Sequence, residues 1–198
     1  MTDRETIALY TARAGDYAKD VANPEPSERL TRFIAAVPAA APVLDLGCGP
    51  GNSAAAMMAA GLEVDAIDAS EGMVDVARAR YGVSAKVGTF TDVDASRAYG
   101  GIWANFSLLH APREDMPGHL ARLRAALRPG GLLHIGLKTG TGQARDSLGR
   151  LYIYYTDAEI TRLLSDAGFA VTERETGREA GFDGVVAPWI VVWAVRPA

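Results

Sequence analysis

Short apolar runs alternate along the chain with stretches whose apolar residues recur at helical spacing. "SERLTRFIAAV" (27–37) places Leu30, Phe33, Ile34 and Val37 three or four residues apart, and Pro38 follows as a stop. "VLDL" (43–46) predicts a strand that runs into a glycine-rich turn and then a small-residue helix, "SAAAMMAA", closed by Gly61. "LEVDAID" predicts a second strand ending at Asp68, after which Ser70 caps the helix "EGMVDVARARY". "SAKVGTF" and "GGIWANF" read as a third and a fourth strand. "HLARLRAAL" reads as a helix with Leu120, Leu123 and Leu127 on one face, ended by "RPGG", and "LLHIGLK" as a fifth strand. "TDAE" (156–159) is a capping box that opens the helix "ITRLLSDA", with Gly168 at its end. The tail offers "FAVTERE" and "WIVVWAV". The 13 residues "REAGFDGVVAPWI" are too few for a helical crossover, so this pair predicts an antiparallel hairpin. The pattern as a whole predicts an α/β doubly wound sandwich: a seven-stranded, mainly parallel sheet closed by a C-terminal antiparallel hairpin.

Composition narrows the class. The chain has 198 residues, 48% hydrophobic and 22% charged, as expected of one globular domain. Its single cysteine, Cys48, excludes an internal disulfide and fits a reducing compartment, so a cytoplasmic location is expected. The N-terminus is charged throughout, without the apolar core of a signal peptide. The longest apolar stretch, residues 185–195, falls well short of the ~20 residues that a membrane-spanning helix needs. A net charge of −4 with no basic run argues against a nucleic-acid surface.

The turn "LGCGPGN" (46–52) sits where a doubly wound sheet binds its ligands, beyond the carboxyl end of a strand. It is not a phosphate loop, because no Gly-Lys-Ser/Thr follows. Its glycines, 47, 49 and 51, also depart from the dinucleotide fingerprint, with Asn52 at the place of the last glycine. Asp45, two residues before the first glycine, would repel a pyrophosphate and suits a ligand with an ammonium group. Asp68 ends the second strand, where a carboxylate accepts both hydroxyls of a ribose. The ligand implied has a ribose and a cationic end and lacks a pyrophosphate.

With "VLDLGCGPG", "VDAIDASEGMVDVARAR", "GIWANFSLLH" and "LRPGGLLHIG" in this order, the chain resembles the class I S-adenosylmethionine-dependent methyltransferases over roughly residues 30–175. The resemblance implies a Rossmann-like fold, S-adenosylmethionine as cofactor, and methyl transfer to an oxygen, nitrogen or sulfur atom of a small-molecule acceptor. It implies that Asp45, Gly47, Cys48 and Gly49 line the methionine portion and that Asp68 takes the ribose. Ala69 and Met73 would lie beside the adenine, and Ala104 and Asn105 would close the fourth-strand side. Two departures stand out. The acidic residue that often follows the glycine of the third strand is Thr89 here, so adenine would be held by Thr89 and Phe90 or by Asp92. The acidic residue at the start of the fourth strand is Gly100.

Acceptor-side candidates come from the variable segments. His110 is the titratable group after the fourth strand and the candidate base; the alternative is that it holds a loop through its ring N–H. No cysteine thiolate sits near it, and the clustered carboxylates of a metal-assisted site are absent, so no metal is expected. Tyr10 and Tyr17 lie seven apart on one face of an N-terminal helix. Residues 1–25 are read as a lid that places Tyr17 over the cofactor, and residues 26–198 as the core of a single domain. The long connection "KTGTGQARDSLGRLYIYY" (138–155) supplies Lys138, Arg145, Arg150, Tyr152, Tyr154 and Tyr155, which suit a carboxylate or phosphate on the acceptor, and Trp189 closes the apolar side. A protein that binds the cofactor without turnover is the alternative reading, and a dinucleotide oxidoreductase the third.

Overall fold

The computed structural model describes residues 3–22, 25–38 and 40–198. Two short helices, α1 (Arg4–Ala12) and α2 (Ala14–Asp20), precede α3 (Glu28–Ala36). The core then alternates β1 (Val43–Leu46), α4 (Asn52–Ala59), β2 (Val64–Asp68), α5 (Glu71–Tyr81), β3 (Lys86–Val87), β4 (Tyr99–Asn105), α6 (Met116–Ala126) and β5 (Leu127–Lys138). A small hairpin of β6 (Gln143–Arg145) and β7 (Leu151–Ile153) leads to α7 (Asp157–Asp166) and the long strands β8 (Ala170–Ala180) and β9 (Val186–Val195).

The main sheet has the order β3-β2-β1-β4-β5-β9-β8, parallel from β3 to β5 and antiparallel through β9 and β8. Both faces are covered, so the central strands carry apolar residues on alternate sides. Val43, Trp103, Trp189, Val191 and Trp193 pack with Leu30, Phe33 and Val37 of α3. Leu44, Leu46, Ile102, Leu133, Ile135, Ile190 and Val192 pack with Leu120 and Leu123 of α6 and Ile160 and Leu164 of α7. The strand order reverses between β1 and β4, so the carboxyl ends of β1, β2 and β4 open a crevice there. Among the described residues no helix is long and apolar enough to cross a membrane.

The predicted caps are in place: Ser70 Oγ accepts from the Met73 amide at 3.2 Å, and Thr156 Oγ1 from the Glu159 amide at 3.2 Å. The third strand is shorter than the run "SAKVGTF" predicts, and β8 and β9 are longer than their apolar cores. β8 is an edge strand of charged residues, which hides it from a hydrophobicity pattern. Its Glu173 and Glu175 are tied to Arg32 at 2.6 and 3.1 Å, and Glu175 also to Arg29 at 2.7 Å, which fixes the whole β8–β9 hairpin against α3. The connection 138–155, read as an irregular loop, contains the β6–β7 hairpin.

Candidate functional site

The glycine turn and the end of β2 are built around one carboxylate. Asp68 Oδ2 accepts the Gly49 amide and Oδ1 the Ser70 amide, each at 2.8 Å. Two backbone groups from different elements therefore fix its plane, while burial pushes its pKa up against their opposing pull. Gly47 and Gly49 stand at φ +73° and +53°, and a side chain on Gly49 would project into open space with only Tyr17 3.9 Å away. Asp45 is buried beneath the turn. The Ala54 amide of the first turn of α4 bonds to it, and Oδ2 has no partner among the described residues. Burial first and the nearby Asp68 second raise its pKa to about 8. Its charge near neutrality therefore depends on what lies above the turn, and a ligand cation would draw its proton off.

A cavity opens over these groups. Tyr17, Gly47, Gly49, Asp68, Ala69, Met73, Thr89, Phe90 and Asn105 line it, together with Tyr10 and His110. Sequence reasoning missed Thr6, Ile7, Ile67, Phe106 and Ser107, which also line it. Phe106 stands at φ +56°, an uncommon backbone state for such a residue and a sign of a constrained turn after β4. Asp45, Cys48 and Ala104 lie behind the wall rather than in it. Cys48 packs with Ala54, Val74 and Ala77, its thiol pKa driven up by burial, and Ala104 belongs to the core under the sheet. Asp92 spends Oδ2 on the amide and hydroxyl of Thr89, at 2.7 and 2.9 Å, and does not line the cavity.

A second cavity adjoins the first and shares Tyr10, Tyr17, Asn105, Phe106 and His110 with it. Lys138 and Trp189 line it as expected, and Arg29, Arg150, Tyr152, Phe182 and Trp103 add to the wall. Arg145 and Tyr155 belong to neither cavity. Arg145 forms a two-pronged pair with Asp3 at 3.0 and 2.8 Å on the outer side of α1, because the β6–β7 hairpin turns it away from the cleft. Tyr155 is fully buried in the core beneath the Arg113 guanidinium.

His110 sits at the shared wall. Nδ1 is 2.6 Å from the Leu151 carbonyl and so carries the proton, leaving Nε2 to accept from the Tyr10 hydroxyl at 3.3 Å. Arg150 donates to that hydroxyl at 3.0 Å and is itself paired with Asp146 at 2.6 Å. Burial lowers the His110 pKa to about 4. Both ring nitrogens are engaged and the imidazole is a weak proton acceptor, so the geometry gives the base role no support and favours the loop-holding alternative.

Helices α1 and α2 roof both cavities. Thr6 Oγ1 accepts the Leu151 amide at 2.9 Å, Thr11 and Ser70 share a hydrogen bond at 3.0 Å, and Tyr10 and Tyr17 meet edge to face at 5.5 Å. Any side chain at Gly72 would lie 2.4 Å from the Thr11 carbonyl oxygen, so this glycine lets α1 lie on α5. Of the segment 1–25, residues 1, 2, 23 and 24 lie outside the described residues.

A family described as "Methyltransferase domain" matches residues 43–131. The chain is 36% identical over 135 residues to a trans-aconitate 2-methyltransferase of Methylobacterium radiotolerans, covering 64% of this chain and 50% of that protein. It spans about half the length of the curated relatives it matches. Among solved structures it is similar to the Burkholderia thailandensis 1,6-didemethyltoxoflavin-N1-methyltransferase, with TM-score 0.73, 24% identity, and coverage of 98% of this chain and 88% of that one. It is also similar to the CcbJ methyltransferase of Streptomyces caelestis, with TM-score 0.73, 23% identity, and coverage of 99% and 100%.

Proposed function

We propose that the chain is a class I S-adenosylmethionine-dependent methyltransferase that methylates a small molecule, binding the cofactor in the first cavity and the acceptor in the second. The observation that carries this reading is Asp68, a carboxylate pinned by two backbone amides at the mouth of β2 with its remaining lone pairs free for a vicinal diol. The donor set fits the rest of the cofactor. The partnerless Oδ2 of Asp45 provides negative potential under the turn for the amino-acid end, and Met73, Ile67 and Phe90 offer an apolar slot for a flat base.

When bound, S-adenosylmethionine supplies an electrophilic methyl group on a sulfonium, a good leaving group that an acceptor lone pair displaces in line. The chain's own residues have to orient the acceptor and keep water out. The wall common to both cavities does the first: Asn105 Oδ1 lies 3.1 Å from Nε2 of the buried His134, which fixes the amide and turns its N–H donors away from the imidazole. Tyr10 and Tyr17, carried by α1 and α2, cover the junction and do the second. We assign residues 1–25 the role of a lid, and His110 the role of positioning Tyr10 rather than of taking a proton. An acceptor atom that is already deprotonated, or whose lone pair sits on an atom with no proton to lose, needs no base here.

Thermal-shift measurements with S-adenosylmethionine, S-adenosylhomocysteine and NADH test the reading. The two sulfur ligands are expected to raise Tm and NADH to leave it unchanged. A shift with NADH alone would overturn it. Transfer of label from methyl-labelled cofactor to a panel that includes trans-aconitate and small aromatic acids then separates an enzyme from a protein that only binds.

A further inference from the structure

We propose that the acceptor is a flat, conjugated small molecule with a single anionic group, that Lys138 selects this group, and that polycarboxylates are disfavoured. The proposal rests on the second cavity being the acceptor side. Three cations face that cavity, and two are already matched. Arg150 is held by Asp146 and the Tyr10 hydroxyl, and Arg29 by Glu175 while it stacks on Trp189 at 4.3 Å. Lys138 differs. Its Nζ lies 3.9 Å from the centre of the Tyr152 ring, and among the described residues no carboxylate pairs with it. Asp183, the nearest favourable charge, has Oδ1 turned to the Val185 amide at 3.2 Å in the hairpin turn. Burial lowers the Lys138 pKa more than Asp183 and Asp146 raise it, so the ammonium has lost water that these unpaired carboxylates replace only in part.

Gly181 leaves the space beside Lys138 without a side chain: an added methyl there would stand 3.6 Å from Nζ and 3.0 Å from Asp183 Oδ1. The rings of Phe106, Phe182 and Trp189 line the rest and suit a planar body. Asp20 and Glu179 stand on the same wall, exposed, and would repel a second or third carboxylate. One unmatched cation, two carboxylates and aromatic sides together specify a mono-anion.

The test uses acids paired with their isosteric amides: 4-hydroxybenzoate with 4-hydroxybenzamide, and indole-3-carboxylate with indole-3-carboxamide. Binding is measured by ligand-observed NMR on the whole chain, with and without saturating S-adenosylhomocysteine. At least one acid is expected to bind about tenfold or more tightly than its amide, as a charge-assisted bond allows, and trans-aconitate no more tightly than that acid. Lys138→Met is expected to erase the preference while leaving S-adenosylhomocysteine affinity within about twofold, because Lys138 is not in the first cavity. The proposal is overturned if no acid exceeds its amide, if the preference survives Lys138→Met, or if trans-aconitate binds tightest. Failure of S-adenosylhomocysteine to bind at all would instead overturn the cofactor assignment, and the acid–amide contrast without it keeps the two outcomes apart.

Discussion

Asp68 and Lys138 face two halves of one cleft, and they are held in different ways. Asp68 ends a core strand, and two backbone amides at 2.8 Å hold its carboxylate. Lys138 ends β5 and rests on an aromatic ring supplied by β7, under a roof formed by α1, α2 and the tip of the β8–β9 hairpin. The glycine turn and Asp68, the floor of the first half, come from segments within one βαβ unit. The second is assembled from parts of the chain more than a hundred residues apart, as in the bond from Arg150 to Tyr10. On the proposed reading, a cofactor half resting on the core sheet beside an acceptor half assembled from distant segments allows one fold to serve many acceptors.

The sharpest way to break this contrast is Gly49→Val. The side chain would fill space between the turn and Tyr17 and would strain a residue at φ +53°. S-adenosylhomocysteine binding in calorimetry is expected to weaken by more than about a hundredfold, with the acid–amide preference at Lys138 retained. Normal binding would mean that the turn only packs.

Asp68→Ala follows in size. It removes the diol acceptor and frees two amides, and a loss of about 2–3 kcal/mol in S-adenosylhomocysteine affinity is expected. Unchanged affinity by calorimetry would remove the ribose assignment.

Asp45 sharpens the contrast through pH. Its pKa in the free protein is about 8, and a bound cation favours the ionised form, so binding releases a proton at lower pH. Affinity is therefore expected to rise with pH up to about 8, by at most about tenfold per unit, and then to level off. Asp45→Asn should flatten the profile, and the difference between the two proteins separates Asp45 from Asp68, whose pKa is also raised. Stability runs the other way. The folded pKa lies above the unfolded one, so the unliganded protein loses stability as pH rises toward 8, and Asp45→Asn should raise Tm there. An identical affinity profile in the variant would show that Asp45 does not sense the ligand.

The smallest effect belongs to Arg145→Ala. The pair with Asp3 is partly exposed, so only a slight loss of stability is expected, seen as faster hydrogen exchange in residues 4–12. Acceptor-probe binding should not change. A loss of probe affinity would return Arg145 to the acceptor site.

The sheet was legible because its causes are local: apolar strands, capping residues such as Ser70 and Thr156, and glycine turns each act within a few positions. The grouping of Gly47, Gly49 and Asp68 around one cavity was legible for the same reason, since they lie within one βαβ unit whose geometry is general. The roles of Arg145 and Tyr155 were not. Whether a charged or aromatic residue faces a cleft depends on the β6–β7 hairpin, which residues 138–155 announce only through their glycines and tyrosines. Phe182 was missed because its position depends on how far an edge strand of charged residues extends. The weak basicity of His110 comes from burial under Tyr10, a contact across 100 residues.

The meeting of the two halves is tested most directly by a crystal structure of the chain with S-adenosylhomocysteine. The ribose hydroxyls should lie within hydrogen-bonding distance of Asp68, with the sulfur at the wall formed by Asn105, Phe106 and Tyr10 and facing the second cavity. A ribose bound away from Asp68, or a sulfur turned from that wall, would contradict the division of the cleft into donor and acceptor halves.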